Sequence, residues 1–386
     1  MNSEDRRKAR RERREQKRKE ARREIIESIG SAEDVFCYHD MFRYGKECCK
    51  GVRWKQSIQN FERHLFSRTA VNVRRALTDY KPKKLAAFTI NERGKTRNIE
   101  APHVDDRQIQ KALTKKALLP LYGSRMIYDN GASLRGKGLF FAQNQLDKAM
   151  RRHMKRYGVE GYIIIADFKG FFPNADREYV KARHKELSDE RLVKMLDTIT
   201  DCGKGKKGLP IGVETSQVEM ISYPSALDNY MCCQMQLKGF GHYMDDYHII
   251  IPPGRNPKEI LSVFIEQAKR YGIVVSEAKT VIVPFGRAFK YCKAKRYVSG
   301  GKIVKRRTLD GVKRLRRKMK MFRKERIDLE DVYTAVNSTL SCYEKTKNHG
   351  TILKARRFFY SELGFPCEKI VTFRRVKSGV YLPYAV

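Results

Sequence analysis

The stretch "GHYMDDYHIII", residues 241–251, constrains this chain more than any other, because it reads as a strand and yet holds two adjacent acids, Asp245 and Asp246. Side chains alternate faces along a strand, so neighbouring acids share one face only where the backbone turns. A turn at the pair is therefore expected, and it has two readings. Asp is a common turn former, which makes a solvated hairpin tip the plain one. The sharper one is that the turn presents a carboxylate to a divalent cation, since hard cations take oxygen ligands. A second acid decides between them, and "YIIIADFKGFFP" supplies it: Tyr162 to Ala166 form an apolar strand and Asp167 follows at its end. If this strand lies beside the first, Asp167 and Asp245 face each other and repel unless cations sit between them. Two Mg²⁺ ions about 3.5 to 4 Å apart are the arrangement that activates an attacking oxygen and stabilises a leaving one in phosphoryl transfer.

The composition names the class of partner. With 386 residues, 41% of them hydrophobic, the chain can build two or three packed subdomains. Lys and Arg number 82 against 44 Asp and Glu, a formal charge of +38, and removing residues 1–24, which hold 12 basic and 6 acidic side chains, still leaves +32. A basic body with 20 Tyr and 19 Phe suits nucleic acid. A membrane partner is not expected: no stretch approaches the roughly 20 apolar residues of a spanning helix. The N-terminal arm has no apolar core for a signal peptide, so a cytoplasmic protein is expected. The nine Cys are scattered without a C-x₂-C pair and read as free, buried thiols rather than zinc ligands or disulfides.

Along the chain, residues 1–24 form a charged arm, helical or disordered, that is either solvated or in contact with RNA. Residues 25–80 read as helical, with Trp54, Ile58, Phe61 and Leu65 spaced as one core stripe. Two strands follow in "KLAAFTINERGKTRNIEAP", joined by a turn at Asn91 to Gly94, then a helix with Asp105 near its start. A Gly-broken loop at 128–138 feeds a further helix, "FKYCKAKRYVSGGKIV" reads as a hairpin turning at Ser299 to Gly301, and Lys305 to Arg326 read as a helix. That helix sets Val312, Leu315, Met319 and Phe322 on one stripe and a dense cationic face elsewhere.

At this point the residues resemble a known family. "ADFKGFFPNAD" is similar to the first palm motif of reverse transcriptases, "GLPIGVETSQVEM" to the second, "YMDD" to the third and "SEAKT" to the fourth, in order and at matching spacing. The resemblance implies an α+β right-hand polymerase: an arm at 1–24, N-terminal helices and fingers at 25–160, and a palm at 161–304 with an antiparallel sheet, helices on one face and a primer-grip-like hairpin. A basic helical thumb at 305–370 and a tail at 371–386 complete it. It implies RNA-directed DNA synthesis with two Mg²⁺ ions, Mn²⁺ substituting, held by Asp167, Asp245 and the Phe168 carbonyl, with Asp246 in support. Phe172 matches the steric gate that leaves no volume for a 2′-hydroxyl. Lys95, Arg97, Arg135 and Lys137 sit where the family holds the incoming triphosphate, and Lys279 matches the lysine thought to assist pyrophosphate departure. Gly208, Gly212 and Ser216 fall in the loop that opens a helix under the base pair. The implied partners are template RNA, the RNA/DNA duplex and dNTPs, with a small accessory protein and a second copy of the chain as further candidates, and no membrane.

Within the second motif the usual Gln-Gly and Ser-Pro are replaced, leaving Ile211 and Gln217. The reverse transcriptases of diversity-generating retroelements share that departure, which is associated with relaxed fidelity opposite adenine. Compact defence-associated reverse transcriptases acting against phage are the alternative, and a catalytically silent RNA-binding scaffold is the alternative of another class.

Overall fold

The computed structural model describes residues 3–92, 95–205, 207–307 and 310–344, together with positions 350, 353, 357 and 361 and two short strands near the C-terminus. The chain divides into two compact units, Met1–Ile282 and Val283–Val386. Both mix helices with antiparallel strands. No described helix is long and apolar enough to cross a membrane.

The first unit begins with the cationic helix α1 (Ser3–Ile29), followed by α2 (Ala32–Val35), α3 (Tyr38–Cys49), α4 (Gln56–Arg63) and α5 (Leu65–Leu77). Ile58, Phe61 and Leu65 are buried as their spacing requires, but Trp54 is 43% exposed. The reason is local: Lys55 is extended at ψ 129°, so the helix starts at Gln56 and leaves Trp54 outside its stripe. Strands β1 (Ala86–Glu92) and β2 (Lys95–Ala101) pair from Ala86↔Ala101 to Glu92↔Lys95; the tip of their expected turn, residues 93 and 94, lies outside the described residues. Helices α6 (Val104–Ala112) and α7 (Leu119–Gly123) follow, joined by a widened turn at Leu113–Leu118. Asp105 and Asp106 sit in the first turn of α6, where its positive end favours acids.

Next come α8 (Leu139–Tyr157), β3 (Tyr162–Asp167), α9 (Arg177–His184), α10 (Glu190–Asp201), α11 (Glu214–Ser222), α12 (Ser225–Asn229), β4 (Gly239–Tyr243), β5 (Asp246–Ile251), α13 (Pro257–Arg270) and β6 (Val281–Pro284). The sheet order is β4-β5-β3-β6, with β3 central and read as an apolar run because both its faces are covered. Phe264 of α13 stacks with Phe168 at 6.1 Å and meets Tyr247 at 5.4 Å and Phe240 at 6.4 Å, so the helix seals the sheet close to where β3 ends. Fully burying rings of this size stabilises by about 1.5–3 kcal/mol each.

The second unit holds a three-stranded antiparallel sheet, β7 (Phe289–Tyr291), β8 (Ala294–Ser299) and β9 (Lys302–Arg307). The hairpin expected near Ser299 turns on Gly300 and Gly301, at φ 55° and 68°. Two positive φ values in a two-residue connection are what a type I′ turn needs, and glycine reaches them without strain. A second tight turn at Cys292 and Lys293 meets the same demand without glycine, at φ 47° and 63°. Because β9 runs to Arg307, the expected helix does not begin at Lys305; it is α14 (Asp310–Arg323), paired with α15 (Leu329–Glu344). Val312, Leu315 and Met319 are buried on the predicted stripe. Strands β10 (Thr372–Arg375) and β11 (Tyr381–Tyr384) pair near the C-terminus. Most of the expected thumb beyond residue 344, and half of the expected tail at 371–386, lie outside the described residues.

No disulfide links the described cysteines; Cys48, Cys49 and Cys292 are buried as expected, whereas Cys233 is exposed.

Candidate active site

Register brings the acids together. Strands β3 and β5 run antiparallel from Tyr162↔Ile251 to Asp167↔Asp246, so those two carboxylates stand directly opposite on one face. Strand β4 pairs with β5 as far as Tyr243↔Asp246, which leaves Met244 and Asp245 as a two-residue connection. Met244 takes φ 55°, an uncommon conformation for a side chain of its kind that costs of order 1–3 kcal/mol. The expected turn is thus present, one residue earlier than the acid pair itself.

Like charges opposed in a ladder destabilise it, and the local electrostatics reflect this. Burial pushes the Asp245 carboxyl above the ordinary carboxylate range and the Asp167 charge pushes it further, while Lys279 and Arg97 pull the other way. Lys279 ends a short 3₁₀ turn, Glu277–Lys279, and its Nζ donates to Asp167 Oδ1 at 2.5 Å. That bond, over the cost of burial and with the charges of Asp167, Asp245 and Asp246, raises the Lys279 ammonium above its ordinary value. The turn is brought in by backbone bonds: Ser276 N–H donates to the Asp167 carbonyl at 2.7 Å, and Lys169 N–H to the Val274 carbonyl at 2.8 Å. Since backbone groups alternate edges along a strand, the Phe168 carbonyl is turned to the opposite edge, the one occupied by β5.

The donor chemistry fits a hard cation: two carboxylates and a backbone carbonyl, all oxygen. Among the described residues, however, no group of three or more His, Cys, Asp or Glu is arranged as a metal cage, and Lys279 supplies the positive charge at Asp167.

Behind the turn lies a network that sequence reasoning missed. His242 Nδ1 lies 3.0 Å from the Met244 carbonyl and its Nε2 3.0 Å from Asp228 Oδ2; Tyr247 donates to Asp228 Oδ1 at 3.1 Å and stacks on the His242 ring at 4.5 Å. All three residues are buried. This network holds the strained carbonyl next to Asp245. His242 shares the inward parity of Phe240 along β4, the one signal that could have disclosed it.

In the aromatic pair after Asp167, Phe171 is 8% exposed, within the core, and Phe172 is half-buried against it. The Phe172 carbonyl accepts from Leu209 N–H at 3.0 Å, and Gly208 N–H donates to the Ala175 carbonyl at 2.9 Å. Gly208 is required there, since at φ 80° a Cβ would come within 2.5 Å of the Pro173 carbonyl oxygen. Glu100 N–H donates to the Ile211 carbonyl at 2.8 Å, which fastens β2, and with it Arg97, to the 208–217 loop. Gly212, at φ 121°, sits too near the Glu100 carbonyl for a Cβ, and Ser216 is buried.

Gln217 donates to Ser133 Oγ at 2.9 Å, two residues from the exposed Arg135. Lys137 instead donates to the Tyr128 carbonyl at 2.7 Å with its ammonium over the Tyr128 and Phe141 rings, and burial lowers its pKa from the ordinary lysine value. The Lys95 side chain lies outside the described residues.

No family model and no curated protein matches the chain. Among solved structures it is similar to a telomerase from Candida albicans in complex with the TWJ fragment of telomeric RNA, at 14% identity and a TM-score of 0.44 over 73% of this chain. The chain spans 59% of the length of that one.

Proposed function

We propose that the chain is an RNA-directed DNA polymerase whose reaction centre is the end of the β3–β5 ladder. The observation that carries this reading is the opposition of Asp167 and Asp246 beside the Met244–Asp245 turn, with Lys279 as an exchangeable counter-charge. Asp167, Asp245 and the Phe168 carbonyl would hold two Mg²⁺ ions, with Mn²⁺ as a substitute. When bound, the ions supply a Lewis acid at the attacking oxygen and neutralise charge on the leaving one.

The other roles fall to the chain's own side chains. The Phe172 ring fills the space a 2′-hydroxyl needs, so the pocket takes deoxynucleotides. Lys95, Arg97 and Arg135 bind the triphosphate, offsetting charge that builds during transfer. Lys279 Nζ gives its proton toward the departing pyrophosphate. Ile211, Gly212 and Gln217 border the nascent base pair. The cationic face of α14 binds duplex phosphates, and binding weakens steeply with salt. Ile211 supports an error-prone enzyme of a diversity-generating element, because an aliphatic side chain cannot restrain the base pair with a directional bond as Gln does.

Primer extension on a defined RNA template tests the proposal. Extension with dNTPs and Mg²⁺, abolished by EDTA, is expected; none under Mg²⁺ or Mn²⁺ contradicts it. In the same assay Phe172→Ala should accept ribonucleotides while keeping deoxynucleotide use. Ile211→Gln should cut errors opposite adenine by about tenfold, the equivalent of about 1.4 kcal/mol of discrimination.

A further inference from the structure

Far along the chain from the carboxylate turn, α1 lies against the body of the first unit, and a half-open cavity of about 520 Å³ lies between them. Five cations line it: Arg18, Lys19 and Arg22 from α1, with Arg125 and Arg183 from the body. Among the described residues, two acids pair with them. Arg22 and Arg125 both bond the same Glu186 oxygen, and Glu15 pairs with Lys19 at 3.2 Å. Three positive charges are left over around one space.

The guanidinium groups are also short of acceptors. Arg183 is 6% exposed; one nitrogen donates to Ser222 Oγ at 2.8 Å and its plane lies 4.1 Å over the Tyr122 ring, yet Nη1 has no hydrogen-bond partner. Arg125 Nε is likewise buried without one. Leaving a buried charged donor unmatched costs more than leaving a neutral one. Burial, and then the Arg183 charge, lower the Arg22 pKa, the mark of two like charges held together. A helix this basic docks on an arginine-bearing wall at low cost only if an anion is present between them.

We propose that this cavity binds a polyphosphate, either free or as the phosphate chain of a nucleotide. Guanidinium forks match phosphate oxygens two at a time. Two or three phosphoryl groups balance the surplus charge, and the volume lies within the roughly 300–1,000 Å³ of small-molecule sites. Tyr179 lines the same wall, its ring packed against Tyr223 at 4.8 Å and under the Arg183 guanidinium at 5.7 Å. The site is independent of the polymerase reading, and its bound anion fastens α1 to the body.

The test is calorimetric titration of the full chain with sodium tripolyphosphate, ATP and an RNA oligonucleotide, in EDTA so that no metal-bound nucleotide enters the carboxylate site. Saturable one-to-one binding of tripolyphosphate or ATP is expected. The double variant Arg18→Gln/Arg22→Gln should weaken it by about tenfold or more. The control Arg151→Gln/Lys155→Gln, which removes equal charge from exposed positions on α8, should change it by no more than about twofold. Arg125→Gln, on the body wall, should match the α1 variant and keeps the test decisive if that variant releases its helix. ATP binding more tightly than tripolyphosphate assigns the site to a nucleotide; equal affinity assigns it to the phosphate chain alone. The proposal is overturned if tripolyphosphate and ATP do not saturate, if the control weakens them as much, or if the RNA alone binds.

Discussion

At the ends of β3 and β5, Asp167 stands opposite Asp246 and beside Asp245, and the counter-charge is Lys279, 48% exposed on a short turn. Between α9, α10 and α11 two acids also converge, but there the counter-charge is His184, fully buried, with Nδ1 2.7 Å from Asp197 and Nε2 3.2 Å from Glu219. Both ring nitrogens of His184 face carboxylates, which favours the doubly protonated ring, and its single positive charge offsets one of the two negative charges from within the fold. At Asp167 the counter-charge is a flexible, half-exposed side chain, which a metal ion or a substrate phosphate can displace, and Arg97 adds a second positive charge near Asp245. Acids compensated by a fixed, buried partner hold helices together; acids left to an exchangeable one are available for chemistry.

Breaking the buried cluster should have the largest effect. Burial alone would lower the His184 pKa, but the bonds to Asp197 and Glu219 more than offset it and the net shift is upward. A group raised in the folded state contributes stability that is fully present below its unfolded pKa, about 6.5, and is lost as pH rises through the higher folded value. His184→Gln leaves two acids unpaired, so at pH 6 it should destabilise by about 3–5 kcal/mol. The deficit should shrink as pH rises above about 6.5. Thermal melts across that range check both the size and the sign.

The equivalent break at the strand ends acts on rate instead. Lys279→Met should slow primer extension by about 100-fold, the scale of losing a positioned proton donor. Melting should change little, because Lys279 is half exposed and a pair held by so exposed a partner contributes only about 0–1 kcal/mol. A large fall in melting temperature with normal extension would put Lys279 in the class of His184.

Asp228 sharpens the comparison because it combines both behaviours, being buried and compensated while supporting the reactive turn. Asp228→Asn should cost about 1–3 kcal/mol of stability. It should also slow extension by about tenfold, a shift of about 1.4 kcal/mol in the barrier, with KM for dNTP unchanged. Steady-state kinetics beside melts separate the two losses.

How much of this the sequence disclosed follows from the range of each signal. Asp167, Asp245 and the strands around them were legible because period-two patterning and a turn are local. Trp54 and the start of α14 were misread because a helix boundary depends on single ψ angles and on how far β9 extends, neither of which periodicity reports. The clusters around His184 and His242 were missed because their partners lie 13 and 35 residues apart in one case and 14 in the other, joined by packing, and only the inward parity of His242 along β4 pointed to either. The charge surplus was plain in composition, but its concentration around one cavity required the docking of α1.

The most direct test sets Asp167→Asn beside Glu219→Gln, each measured for melting temperature and for primer extension below its melting point. If the two acid clusters differ as described, Asp167→Asn melts no lower than the wild type and loses about a thousandfold or more in extension, the upper range for removing one charge-stabilising group. Glu219→Gln melts lower by the equivalent of about 1–3 kcal/mol and still extends. The reverse pattern, a destabilised Asp167→Asn that still polymerises or a stable Glu219→Gln that does not, would contradict the account.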